Sequence, residues 1–350
     1  MRRSVRSLLL VSAVGILSTV ACSMYSTSSV DDPPLPPGPS GDGGVADSAR
    51  DAVTPPPADG AVADAGPRPS GPPKTDGTYE QHANLTYASG SSHALDLWVP
   101  NGKGPFPVVV YIHGGAWLEG DRSEGDPIAE HMAPRGYAVA SLDYRLSQVA
   151  KFPAQIQDVK AAVRWLRAHA ADYDLDVARF ASWGASAGGH LAMLLGTSGG
   201  VASLEDPNQG NPTQSSRVQA VVDWFGPTDF LQMDAQTVSG CANGYHNAPD
   251  SPESKLVGCT IQSCPQKVAP ANPITWIDSA DPPHILMHGS KDCTVPTGQA
   301  KIMSAALVNA GVKSTLVVVN GMGHDSNPLL QDSAKMSQID AFLDGALYPP

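Results

Sequence analysis

The chain has 350 residues, and its 34 acidic and 22 basic side chains give a formal net charge of −12. Such an acidic chain is a poor partner for nucleic acid or for an anionic membrane surface, so we exclude both as ligands. Hydrophobic residues make up 41% of the sequence, which is enough for the core of one large domain.

The first residues predict export. Three arginines precede an apolar stretch over 8–20, the pattern of a signal peptide (1–21) that is too short to span a bilayer comfortably. Cys22 follows directly, and this junction resembles a bacterial lipobox, so we expect lipidation at Cys22. An ordinary cleaved signal is the alternative. The protein is therefore expected in the cell envelope, at the outer membrane or surface and touching the membrane only through its lipid anchor, or else secreted.

The next segment has the composition of a tether. Residues 26–77 hold twelve prolines, eight glycines and no aromatic residue. Such a stretch cannot bury enough apolar surface to offset the entropy of ordering. We predict a disordered tether over 22–77 and a catalytic domain over 78–350.

Within that domain, apolar runs typical of buried strands alternate with helical patterns. This alternation predicts an α/β fold with a mostly parallel central sheet and helices on both faces. A polar segment rich in Gly, Pro and Cys interrupts the rhythm at 228–273 and is a candidate lid. The predicted strands are Ala94–Val99, Val108–His113, Ala138–Leu142, Arg179–Trp183, Val218–Phe225, His284–His288 and Thr315–Val319, and the predicted helices are 154–169, 299–310 and 331–343.

The most informative motif is G-x-S-x-G at Gly184–Gly188. It follows a predicted strand and precedes a helical run that begins near His190, which is the context of a nucleophile elbow. The turn would lift the hydroxyl of Ser186 above the sheet and aim the free N–H groups of a helix N-terminus at the reacting atom. The motif therefore predicts a nucleophilic serine.

A serine hydroxyl is a weak nucleophile and needs a base and a group that orients the base. In enzymes whose nucleophilic serine lies in an elbow of this kind, the chain order is serine, acid, histidine. His324 is the only histidine after Asp292, and Asp292 follows a strand. Asp278 and Asp281 are alternative acids, but they precede that strand and so lie at the wrong end of a parallel sheet. We predict a triad of Ser186, Asp292 and His324, and we interpret the other nearby histidines, 284 and 288, as structural.

The loop His113–Trp117 reads H-G-G-A-W and follows a buried strand. Loops of this type supply N–H donors to an oxyanion. We predict an oxyanion hole formed by the N–H groups of Gly115, Ala116 and Ala187. Trp117 is a candidate wall of the substrate pocket, with a place in the core as the alternative.

Four cysteines follow the tether, and an even number in an exported chain favours two disulfides. Their spacing does not match a zinc site, and we expect no metal and no organic cofactor. Three pairings are open, and we expect Cys264–Cys293 and Cys241–Cys259.

The domain resembles bacterial α/β-hydrolase esterases of the lipase/esterase class, nearest the secreted acetylxylan and feruloyl esterase-like branch. The resemblance rests on eight stretches and covers nearly all of 80–345. It implies the α/β-hydrolase fold, a Ser–His–Asp triad and ester hydrolysis without a cofactor, on a small-molecule or carbohydrate ester and often on acetyl groups of plant polysaccharides. The stretches are Leu95–Pro100, His113–Trp117, Asp143–Leu146, Phe152–Ala154, Trp183–Gly189, Phe225–Asp229, His288–Pro296 and Gly323–His324.

Other functions are less well supported. Aryl-formamide hydrolases resemble the chain in an H-G-G-x-W loop, but most are cytosolic, unlike a chain with an export signal. A non-catalytic binding module on the same fold would usually lack the serine or the histidine, and both are present. Oligopeptidases resemble the elbow but carry a large gating domain for which the chain has no room.

Overall fold

The computed structural model describes residues 71–90, 92–242 and 245–349, which belong to one compact unit, Asp64–Pro350. The predicted signal peptide (1–21), Cys22 and most of the predicted tether lie outside the described residues and stay predictions. Within the described ranges no helix combines the length and the apolar character needed to cross a bilayer.

Eight strands form one sheet. Its order is β1-β2-β4-β3-β5-β6-β7-β8; β1 and β2 pair antiparallel at one edge, β2 is antiparallel to β4, and all other neighbours are parallel. The strands are β1 (Thr75–Thr86), β2 (Ala94–Gly102), β3 (Phe106–Ile112), β4 (Ala138–Leu142), β5 (Leu175–Ala185), β6 (Ala220–Trp224), β7 (His284–Gly289) and β8 (Ser314–Val319).

Helices cover both faces of this sheet. The apolar sides of α2, α3 and α6 pack into one core cluster, and those of α1, α7 and α8 pack into the other. The predicted α/β architecture is confirmed. The helices are α1 (Asp126–Met132), α2 (Ala154–Ala168), α3 (Ala187–Thr197), α4 (Pro252–Val257), α5 (Pro265–Val268), α6 (Gly298–Asn309), α7 (Asn327–Gln331) and α8 (Ser333–Leu347), with short 3₁₀ turns between them.

The central strand β3 shows why a parallel sheet is so apolar. Every residue of β3 is buried, and its side chains alternate between the two core clusters. Val108 and Val110 contact one cluster, whereas Val109 and Tyr111 contact the other. A strand covered on both faces therefore reads as a continuous apolar run.

The predicted start of the domain at residue 78 is wrong, because β1 begins at Thr75. This edge strand pairs only with β2, and most of its side chains are exposed. It therefore needs no alternation of apolar and polar residues, and its sequence carried no strand signal.

The candidate lid, 228–273, contains α4 and α5 and several short turns. Several of its larger apolar side chains are fully buried in the core, among them Phe230, Leu256, Ile261 and Val268. The segment is thus part of the folded unit. Its role as a lid stays a prediction.

Candidate active site

Ser186 lies in a sharp turn between β5 and α3. Its backbone has φ 56° and ψ −121°, a left-handed conformation that side chains larger than glycine rarely adopt and that costs on the order of 1–3 kcal/mol. The Ser186 N–H donates to the carbonyl of Trp224 at 2.8 Å, which fixes the turn against the end of β6. The hydroxyl therefore stands at the carboxyl edge of the sheet.

The glycines of the motif are required by close backbone contacts. A Cβ at Gly184 would lie 2.2 Å from the carbonyl oxygen of Gly188. A Cβ at Gly188 would lie 1.9 Å from the carbonyl oxygen of Ile112, on β3. Neither position tolerates a side chain, so the G-x-S-x-G spacing follows directly from the packing of the turn.

The three predicted triad side chains meet at this edge. The Oγ of Ser186 lies 2.8 Å from Nε2 of His324, and Nδ1 of His324 lies 2.7 Å from Oδ2 of Asp292. Asp292 follows β7 and is fully buried, whereas His324 follows β8 and keeps 18% of its side chain exposed. The strands thus bring these three side chains to one point from positions 138 and 32 residues apart.

Asp292 is the carboxylate that contacts the histidine. Its Oδ1 accepts hydrogen bonds from the N–H groups of Thr294 and Val295, both at 2.9 Å. Burial raises the pKa of Asp292, but hydrogen bonds from the imidazoles of His288 and His324 outweigh burial and hold this pKa below its usual range. The acid is therefore ionised across the physiological pH range.

The alternative acids lie elsewhere. Asp278 and Asp281 precede β7, where the carboxylate of Asp281 accepts the N–H of Asp278 at 2.9 Å. Burial raises the pKa of Asp281 to about 7. No contact joins either carboxylate to His324, so of the three candidate acids it is Asp292 that contacts the histidine.

His288 contributes to the site, although its sequence position suggested only a structural role. Its Nε2 lies 2.8 Å from the carbonyl of Val295 and 3.3 Å from Oδ2 of Asp292. The imidazole is fully buried. Its Nε2 faces the loop that follows β7 and carries Asp292, here called the acid loop, and it lies near the carboxylate oxygen that His324 also contacts. The spacing in the sequence could have indicated this contact, because His288 and Asp292 are four residues apart across the end of β7.

Phe225 is a second residue that the sequence reasoning missed. It follows β6 with φ 46°, and its ring packs edge-on against His324 with 4.6 Å between ring centroids. This contact limits the rotation of the imidazole. The positive φ at the end of a buried strand has no signature in the sequence.

The predicted oxyanion loop runs beside the elbow. A Cβ built on Gly114 would lie 3.6 Å from the Cβ of Ser186. Gly115 and Ala116 both have positive φ, at 87° and 54°. Within the described ranges the N–H groups of these two residues find no protein acceptor, so they are free to bind an oxygen from a substrate.

Two side chains fix this loop. The carboxylate of Glu124 accepts the N–H of Gly114 at 3.2 Å. The hydroxyl of Tyr144 lies 3.1 and 3.2 Å from the carbonyl oxygens of His113 and Gly114. The loop is therefore held from both sides before any substrate arrives.

The structure corrects the predicted position of Trp117. It was a candidate pocket wall, but it is only 2% exposed and packs edge-on against His190 and Phe230. Its backbone has a positive φ of 57°. Trp117 therefore belongs to the core beneath the oxyanion loop.

The structure also corrects the predicted pairing of the cysteines. The structure contains two disulfides, as expected, but they are Cys241–Cys293 and Cys259–Cys264 instead of Cys264–Cys293 and Cys241–Cys259. A short turn between 259 and 264 brings their Cα atoms to 6.5 Å, and the chain before α4 lies against the acid loop. Across the described part of the chain, no group of three or more His, Cys, Asp or Glu is placed to hold a metal ion.

A mostly parallel sheet with a serine in a strand–turn–helix elbow, and a carboxylate and histidine after later strands, defines the α/β-hydrolase class. The BD-FAE family model matches residues 95–307, more than half of the chain. The chain belongs to the BD-FAE family of α/β-hydrolase esterases. The match ends before His324.

Curated relatives are esterases. Esterase LipQ of Mycobacterium tuberculosis is 30% identical over 236 residues, which are 66% of this chain and 53% of LipQ. A probable isoprenylcysteine α-carbonyl methylesterase of Arabidopsis thaliana, ICMEL1, is 26% identical over 75% of this chain and 54% of its own length. The chain spans about half the length of the curated relatives it matches.

Solved structures are also similar. A truncated carbohydrate esterase from gut microbiota has 32% sequence identity and a TM-score of 0.68, over 77% of this chain and 98% of that one. Esterase 2 of the planctomycete Thermogutta terrifontis has 26% identity and a TM-score of 0.61, over 79% and 96% of the two chains.

Proposed function

We propose that this protein is a serine carboxylic-ester hydrolase that acts on short-chain esters, chiefly acetyl esters of carbohydrates. One observation carries the proposal. A continuous line of hydrogen bonds runs from the hydroxyl of Ser186 through His324 to the ionised Asp292. A hydroxyl in this setting can lose its proton as it attacks a carbonyl carbon.

In the first half-reaction Ser186 attacks the ester carbonyl while Nε2 of His324 takes the hydroxyl proton. Asp292 holds the Nδ1–H tautomer of the imidazole and stabilises the imidazolium that forms. The carbonyl oxygen becomes an oxyanion, which would accept hydrogen bonds from the free N–H groups of Gly115 and Ala116 and from that of Ala187. Each such donor typically contributes about 2.7–4 kcal/mol to the transition state.

The tetrahedral intermediate collapses when His324 gives its proton to the alcohol oxygen and the alcohol leaves. An acyl group then remains on Ser186. Water attacks this acyl group as His324 takes one of the water protons, and a second tetrahedral intermediate breaks down to free acid and restored serine. The same imidazole therefore serves both steps, as base and then as acid.

The comparisons support a short acyl group and a carbohydrate alcohol. The Thermogutta esterase was solved with butyrate and with propionate bound. The gut-microbiota neighbour is a carbohydrate esterase, and another neighbour is a bifunctional GH43-CE protein of Bacteroides eggerthii with 36% identity and a TM-score of 0.68. We propose an acetyl group on a polysaccharide as the substrate on this basis.

The test of ester hydrolysis is the rate with p-nitrophenyl acetate. Ser186→Ala should lower kcat by on the order of 10⁴–10⁶, while circular dichroism and thermal unfolding stay unchanged. Ser198→Ala is the matched control, because Ser198 caps the far end of the same helix and should keep full activity. Equal rates for the two variants would remove Ser186 from the mechanism.

The substrate class needs a separate series. Rates on acetate, butyrate and octanoate esters should fall as the chain lengthens, and acetate should be released from acetylated xylan. A preference for octanoate would point to a lipase. Activity on the short esters without acetate release from xylan would leave an esterase with a small-molecule substrate.

We also propose that Cys22 carries the lipid that anchors the exported protein in the cell envelope. The support is the sequence alone, a basic and apolar leader followed directly by cysteine. Mass spectrometry of the exported chain should find a lipidated N-terminal Cys22. Cys22→Ser should release the protein into the medium, and an unlipidated Cys22 in the native protein would contradict the anchor.

A further inference from the structure

A cavity of about 540 Å³ opens on the molecule away from the triad. This volume lies within the range of small-molecule binding sites. None of the residues that line the cavity belongs to the triad or to the oxyanion loop. Its walls are largely apolar, with Phe152, Leu204, Val257 and Trp276 as the main side chains.

Among the described residues, the charged side chains in the lining are both cationic. Lys151 and Lys267 stand at the cavity, and no carboxylate lines it. Neither lysine forms an ion pair with a described residue, and Nζ of Lys151 donates a hydrogen bond to the carbonyl of Ser147 at 2.9 Å. In a chain with twelve more acidic than basic side chains, such a cavity is a local site of positive charge and attracts anions.

The walls are preformed. Nε1 of Trp276 donates to the carbonyl of Pro270 at 2.9 Å, which fixes the orientation of the indole. The N–H of Phe152 donates to the carbonyl of Leu256 at 3.0 Å and ties the start of α2 to α4. The Cys259–Cys264 disulfide joins the stretches on either side of it, both of which contribute to the lining. A rigid cavity loses little entropy when a ligand enters.

From this lining we propose a second binding site, for an organic acid with a flat apolar body. The indole of Trp276 and the ring of Phe152 would contact the body, and the two ammonium groups would face the carboxylate. Ser203 and Gln266 are the only uncharged polar side chains in the lining. They are too few to satisfy the hydroxyl groups of a sugar, so the chemistry favours an apolar acid over a carbohydrate.

The experiment is a titration followed by methyl NMR on the full chain, with the methyl groups of Leu204 and Val257 as reporters. The probe is 3-phenylpropanoate. Its Kd should be on the order of 1 mM, as expected for a ligand of this size. The neutral analogue 3-phenylpropanamide should bind several-fold more weakly. Acetate, which lacks the apolar body, should give no saturable shift.

Variants of the lining test separately how much the lysine charges and the aromatic surface contribute to binding. Lys151→Gln and Lys267→Gln should each raise the Kd of 3-phenylpropanoate about threefold, and Trp276→Leu should raise it further. Lys313→Gln, a change of an exposed lysine outside the cavity, is the matched control and should leave binding unchanged. Ser186→Ala should bind the probe as the unchanged protein does, which distinguishes this site from the triad.

Three results would overturn the proposal. These are the absence of a saturable shift at the two reporter residues, equal affinities for acid and amide, and lysine variants that bind as the control does. Binding is measured at the cavity itself, so a protein that hydrolyses no ester could still bind the probe. Likewise, an absence of probe binding would not contradict ester hydrolysis at Ser186.

Discussion

The two halves of the site are held in different ways. In the nucleophile half, around Ser186 and the oxyanion loop, backbone geometry does the positioning through close glycine contacts and residues with positive φ. In the acid–base half, around Asp292 and His324, side chains and a disulfide hold loops that follow β7 and β8. Close backbone contacts that only glycine permits leave a mark in the local sequence, whereas long-range side-chain contacts do not.

The acid–base half should depend most on its covalent link. Cys241–Cys293 closes a stretch of 52 residues, so its removal by a double change to alanine should cost about 4 kcal/mol in the free energy of unfolding. Removal of Cys259–Cys264, with a separation of 5, should cost about 2 kcal/mol. Denaturant unfolding of the two double variants measures the difference.

Measurements of kcat distinguish the roles of the two disulfides further. Cys293 follows Asp292 directly, so only loss of Cys241–Cys293 should also lower kcat on p-nitrophenyl acetate. The Cys259–Cys264 double variant serves as the control for a missing disulfide away from the acid. If both variants lose activity equally, the disulfide does not position the acid loop.

The nucleophile half should respond to a single methyl group. In Gly188→Ala the new Cβ would meet the carbonyl of Ile112 at 1.9 Å, so the turn must move by about an ångström. A displacement of this size should lower kcat about 10²-fold. Gly311→Ala is a control, because an added Cβ there meets nothing within 4 Å, although its positive φ adds some strain. Retained activity in Gly188→Ala would contradict the account of the elbow.

A smaller effect should come from the contact between His288 and the acid. In His288→Leu the carboxylate of Asp292 loses a nearby donor, and kcat should fall about tenfold with KM unchanged. Gln places an N–H near the position of Nε2, so His288→Gln should recover most of the rate. A variant that merely loosened the core would not be rescued in this way, and equal rates for Leu and Gln would assign His288 a packing role alone.

The sequence predicted the parts of the molecule that local rules determine. Strand β4 and helix α2 matched their predicted bounds to within a residue, because each has a clear apolar period. The elbow motif predicted Ser186, the order of strand ends predicted Asp292 and His324, and the structure brings these three side chains into contact. Short-range sterics and the topology of a parallel sheet were sufficient for these predictions.

The rest depends on contacts between distant segments. The pairing of Cys241 with Cys293 depends on how the chain before α4 folds over the acid loop, which no spacing encodes. Trp117 is buried against Phe230, and Phe225 packs against His324, and both contacts join residues far apart in the chain. Edge strand β1 was missed because an exposed strand needs no apolar pattern.

The central claim is that His324 and Asp292 make the hydroxyl of Ser186 reactive. The most direct measurement is the mass of the protein after treatment with a p-nitrophenyl phosphonate, followed by peptide mapping. We predict one phosphonyl group per chain, on Ser186, and slow or absent labelling in His324→Ala. Labelling at another residue, or equally fast labelling of Ser186 without the histidine, would contradict the account.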